Sequence, residues 1–133
     1  IGALPHEQIL SAHSMSDIYV SLNYFGNLSN ANLEAIQSND CMVISEPQVD
    51  IGIDIVTSNL LKKSVITTPI QDASSLSSAL LDLVNSKKKR ERLSLSISKV
   101  KKNFLWTWEE RINKEIDLLE EVVDIKTSPK LPL

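Results

Sequence analysis

Three short apolar runs, "DIYVSL" (Asp17 to Leu22), "CMVIS" (Cys41 to Ser45) and "SVITT" (Ser64 to Thr68), most constrain this chain. Each is too short and too rich in β-branched residues for a helix, and reads as a strand buried on both faces. Between and after them lie segments of helical spacing. Pro5 and Glu7 suit the first turn of a helix that carries Ile9, Leu10 and Ala12 on its apolar side. A second helix is expected from about Asn30 to Ser38. Asp72 can cap a third, with Leu76, Ala79, Leu80, Leu83 and Val84 recurring along it. Leu93, Ile97 and Val100 mark a fourth. The last opens on a capping box, Thr107 to Glu110, and aligns Trp108, Ile112, Ile116, Leu119 and Val123. Strands that alternate with helices predict an α/β fold, a partial Rossmann-like parallel sheet flanked by helices.

Residues 46–63 resist assignment, since "VDIGIDIV" alternates like a strand while "SNLLKK" suits a helical turn. With 133 residues the chain holds one core, expected over residues 1–124, and the Pro-rich end 125–133 should fray. Three strands are few for a parallel sheet, which looks incomplete on its N-terminal side. The opening "IGALPHEQ" has no initiator Met and no basic leader, and reads as the middle of a longer protein.

Composition excludes several function classes. Hydrophobic residues make up 42% and charged residues 23%, as in ordinary globular chains, and the net charge of −3 gives no electrostatic reason for a nucleic-acid partner. The basic run "KKKRER" (Lys87 to Arg92) reads as a solvated helix end, with a peripheral contact to anionic lipid as the minority reading. Cys41 stands alone, which suits a reducing, cytoplasmic compartment. No metal is expected: His6 and His13 lack a surrounding cluster of ligands, and both read as structural or exposed. A nucleophile elbow, a Walker A loop and a G-x-G-x-x-G turn are all absent. Trp106 and Trp108 read as helix-docking anchors rather than a base-stacking platform.

What remains is "NYFGNLSNANLEAI", Asn23 to Ile36, where turn formers and small polar residues lead into a helix. Asn and Ser cap helices, which is one sufficient reason for them. The other is ligand binding: this loop follows the first strand, and ligands of open α/β sheets bind beyond the strands' carboxyl ends. There the N–H groups of Ser29, Asn30 and Ala31 would face an anion, and Glu34, one turn further in, could reach a ligand hydroxyl. Spacing alone leaves both readings open.

The order "IGALPHEQI", "SDIYVSLNYFGNLSNANLEAI", "MVIS", "LSSALLDLV" and "WEERI" resembles the C-terminal, donor-binding half of retaining GT-B glycosyltransferases of family four. The resemblance runs from Gly2 to about Val122. It implies a nucleotide-sugar donor as substrate with no separate cofactor, a glycan or lipid-linked acceptor, and an N-terminal acceptor domain outside this stretch. Of that family's two glutamates separated by seven residues, Glu34 matches the second, which holds the ribose hydroxyls. The amides of Ser29, Asn30 and Ala31 match those that meet the diphosphate. The first glutamate falls on Gly26, so Gly26 and Asn27 would shape the sugar pocket with neutral groups, and no catalytic residue is assigned. The cations that neutralise the diphosphate lie upstream in the family, which implies that this chain alone does not turn over substrate. Two other readings stand beside it: a non-catalytic Rossmann-like interaction module, and a GT-B sugar-nucleotide epimerase whose acid and base have no counterpart here.

Overall fold

The computed structural model describes residue 2 and residues 4–23, 28–48, 55–103 and 105–127, with side chains described as far as Val123. Helix α1 (His6–Ser14) begins directly after Pro5. Pro5 is the residue before the helix rather than within its first turn, and its fixed φ of −57° needs no hydrogen-bond donor there. Strand β1 (Tyr19–Ser21) leads to α2 (Asn30–Ser38), then β2 (Met42–Ser45), α3 (Ile55–Leu61) and β3 (Ile66–Thr68). Helices α4 (Ala73–Asn85), α5 (Lys87–Val100) and α6 (Trp108–Thr127) complete the chain, with a 3₁₀ turn at Lys101–Asn103.

The three strands form one parallel sheet in the order β1-β2-β3, with Val20 opposite Val43 and Val43 opposite Ile66. This is an α/β arrangement compatible with a Rossmann-like fold. Each strand lies within the expected run but is shorter: β1 loses residues at both ends, while β2 and β3 keep the expected last residues, Ser45 and Thr68, and start later. One expectation needs correction: β1 is not buried on both faces. Val20 is 41% exposed, because β1 stands at the edge of the described sheet with a paired neighbour on one side only. Only β2, the central strand, is buried at every position. In the stretch the sequence left open, Ile55–Leu61 is helical, and 49–54 lie outside the described residues.

Side chains of β2 alternate between two cores, one on each face of the sheet. Met42 and Ile44 join Ala35 and Ile36 of α2, Leu61 of α3 and Ile97 of α5. Cys41 and Val43 join Leu83 of α4 and Leu93 of α5. Helix α5 therefore serves both faces. Ser64 and Ser96, deep beside the first core, satisfy each other through a 2.7 Å contact between their hydroxyls.

Local chemistry fixes the helix ends. Ser29 precedes α2 and its Oγ accepts the Asn32 N–H at 3.3 Å, while Asn39 closes it in the left-handed conformation at φ 62°. The carboxylate of Asp72 accepts the Ser75 N–H at 2.9 Å at the start of α4. Ser86 ends α4 and begins α5, accepting the Lys89 N–H. At α6 the expected capping box forms in both directions: Thr107 N–H donates to Glu110, and Glu110 N–H donates to Thr107 Oγ1. The expectation for the two tryptophans fails. Trp108 is 74% exposed and does not dock its helix, and Trp106 instead stacks under the Lys114 ammonium at 4.8 Å.

Candidate functional site

The start of α2 lies past the carboxyl end of β1, as βα connections in a parallel sheet require. Its polar residues divide by role. Ser29 is spent on capping: its Oγ holds Asn32 N–H and its carbonyl accepts Leu33 N–H at 3.1 Å. Asn32 is buried, and its Oδ1 accepts the Tyr19 hydroxyl at 3.0 Å, joining β1 to α2. These two are structural. Ser29, Asn30 and Ala31 are all exposed. The N–H groups of a first helical turn have no carbonyl of their own helix to bond. A formed cap and exposed residues thus coexist at the start of α2.

Glu34 follows one turn on. Its side chain is 29% exposed, and its Oε1 lies 3.8 Å from Nδ1 of His6 on α1. It lines a cleft of about 650 Å³ between α1, α2 and the beginning of α6, shared with His6, Leu10, Gln37, Trp106 and Glu110. Glu7 also borders this space, so three carboxylates face it against one imidazole. Such a field suits hydroxyl groups and repels phosphate. Ser29, Asn30 and Ala31 do not line this cleft, so the structure does not bring them together with Glu34 in one pocket. Gly26 and Asn27 lie outside the described residues.

At the opposite end of the sheet, His13 and Asp40 form a buried pair with Nδ1 and Oδ2 2.6 Å apart. The Tyr19 ring stands over His13 at 5.6 Å. Burial pushes the Asp40 carboxyl above the usual aspartate range, against the opposing hydrogen bond and charge of His13. The partnership was invisible in the sequence, where 27 residues separate the two side chains. No local spacing could have found it. The pair faces away from the strands' carboxyl ends, where ligands bind in such sheets, and its position between α1 and β2 makes it structural.

Among the described residues no group of three His, Cys, Asp or Glu side chains could hold a metal ion, and no helix is long and apolar enough to cross a membrane. No family model, no curated protein and no solved structure matches the chain.

Proposed function

We propose that the chain is the donor-binding part of a retaining glycosyltransferase, as its resemblance to GT-B enzymes of family four implies. The observation that supports this best is Glu34, a partly buried carboxylate one turn into α2 that lines the cleft between α1, α2 and the beginning of α6. In this reading Glu34 accepts hydrogen bonds from the donor's ribose hydroxyls. The first-turn amides of Ser29, Asn30 and Ala31 bind its diphosphate. A ribose and its diphosphate are adjacent but distinct groups, so Glu34 and the first-turn amides need not share a pocket to serve one extended ligand. Gly26 and Asn27 would shape the sugar pocket. A glycan or lipid-linked acceptor would come to a partner N-terminal domain, at the cytoplasmic face of a membrane.

Calorimetric titration with nucleoside diphosphates tests this reading. Glu34→Gln keeps one acceptor but loses the charge-assisted ribose contact, and binding should weaken by about 1–3 kcal/mol. Equal affinity for wild type and variant, or no binding by either, would reduce the stretch to helix capping. That result would favour the second reading, a non-catalytic interaction module. Gly26 at the place of the family's first glutamate supports that alternative.

A further inference from the structure

The carboxyl ends of all three strands open onto a second cleft, on the α4 side of the sheet and apart from Glu34. Its volume is about 350 Å³, within the range of small-molecule sites. Strand alternation sets its floor. Ser45 shares a face with Val43, and Thr68 shares one with Ile66, and both apolar residues belong to the α4-side core. Ser45 and Thr68 are also directly paired across β2 and β3. Their hydroxyl-bearing side chains therefore stand side by side beneath the first turn of α4.

Thr68 is 2% exposed, and its Oγ1 is buried without a hydrogen-bond partner. Its carbonyl accepts the Glu46 N–H. A buried hydroxyl without a partner is destabilising, and a valine of the same shape would avoid that penalty. Thr68 is itself one of the residues that line the cleft.

The lining indicates what would satisfy it. Asn23, Ser45, Thr68 and Gln71 are neutral groups that both donate and accept, beside an apolar wall of Leu22 and Leu76. No cation is among the lining residues. The start of α4 would ordinarily attract an anion, but Asp72 already caps it. Hydrogen bonds from Ser75 hold the Asp72 carboxyl below the usual range, so it stays charged and repels a second anion.

We propose that this cleft binds an uncharged polyhydroxylated ligand, a sugar ring or similar polyol, through Thr68, Ser45 and Gln71. The site is independent of the Glu34 reading, and either can fail without the other. Amide correlation spectra of the isotope-labelled protein, titrated with glucose, galactose, N-acetylglucosamine and inorganic phosphate at millimolar concentration, test it. At least one neutral sugar should shift the amides of Ser45, Thr68, Gln71 and Ala73 saturably, and phosphate should not. Thr68→Val should weaken that sugar by roughly 3- to 10-fold, the loss of one hydrogen bond. Ser45→Ala should also weaken it and decides the matter if Thr68→Val does not fold, while Glu34→Gln should bind as wild type does. Silence from all three sugars, shifts from phosphate alone, or undiminished sugar binding by the folded hydroxyl-deletion variants would overturn the proposal.

Discussion

His13 Nδ1 and Asp40 Oδ2, 27 residues apart in the chain, meet at 2.6 Å and tie the end of α1 to the turn between α2 and β2. Both side chains are nearly inaccessible, at 11% and 6%. Removing one partner strands the other in a poorly solvated place. His13→Ala should destabilise the fold by about 3 kcal/mol, read from urea unfolding. A loss below about 1 kcal/mol would mean that water reaches Asp40 and replaces the imidazole.

The same pair sets a pH dependence. Asp40 has a carboxyl pKa raised by burial, so the native state holds the proton more tightly than the unfolded chain does. Its ionisation therefore costs stability as pH climbs from the unfolded aspartate range through the folded value. Asp40→Asn has no such titration. The stability of Asp40→Asn relative to wild type should rise across that interval and level off above it. A difference that stays constant across a pH series of unfolding curves would refute this account.

Arg90 offers a third test. The guanidinium donates to the carbonyls of Leu83 at 2.7 Å and Val84 at 3.2 Å, closing the last turn of α4 from the first turn of α5. It also reaches Asp17 at 3.5 Å, but that carboxylate is 82% exposed. The carbonyl contacts should dominate. Arg90→Ala is expected to cost about 1.5–3 kcal/mol, the worth of hydrogen bonds from a charged donor. Asp17→Asn should cost less than about 1 kcal/mol, as exposed pairs do. Comparable losses from both would show the ion pair to be the real tie.

These contacts show where the sequence is legible and where it is not. Helix α2 keeps its expected bounds, Asn30 to Ser38, because Ser29 caps it locally and Asn39 ends it locally. The strands are legible in place and, for β2 and β3, in their last residues, but not in their starts: Asp17 and Ile18 fit a strand by composition, yet only Tyr19 to Ser21 align with β2. Arg90 lay inside a run read as solvated helix end, and its neighbours Lys87 and Lys88 are exposed as that reading requires. The role of Arg90 depends on α4 stopping one residue before α5 begins. Tertiary partners such as Asp40 for His13 leave no periodic signal. Of the candidate site, the capping at Ser29 was legible. The orphan hydroxyl of Thr68 was not, because it follows from the register of two strands.

Glu110 and Thr107 make the reciprocal cap of α6, with Thr107 N–H donating to the carboxylate at 2.7 Å. That bond holds the Glu110 carboxyl below the usual glutamate range. A depressed acid pKa gives stabilisation that is present above the unfolded glutamate range and lost as pH falls through the folded value. Amide exchange at Arg111, whose N–H bonds to the Thr107 carbonyl, should quicken over that acid interval, after correction for intrinsic rates. Glu110→Gln should remove the pH dependence. An unchanged profile in the variant would assign it elsewhere.

The apolar side of α6 carries the last prediction. Ile116 and Leu119 recur at helical spacing with Ile112 and Val123, a pattern that in a packed helix marks the buried face. Here Ile116 is 47% exposed and Leu119 65%, so little of that face is removed from water within the chain. Burial, not spacing, sets the energy of an apolar side chain. Leu119→Ser should therefore change unfolding free energy by less than about 0.5 kcal/mol, the range of surface substitutions. Ile97→Ala is the control: that side chain is fully buried in the core shared by α2, α3 and β2, and its truncation should cost about 2–5 kcal/mol. If Leu119→Ser instead approached the loss seen for Ile97→Ala in the monomeric protein, α6 would have to fold back on the sheet in solution.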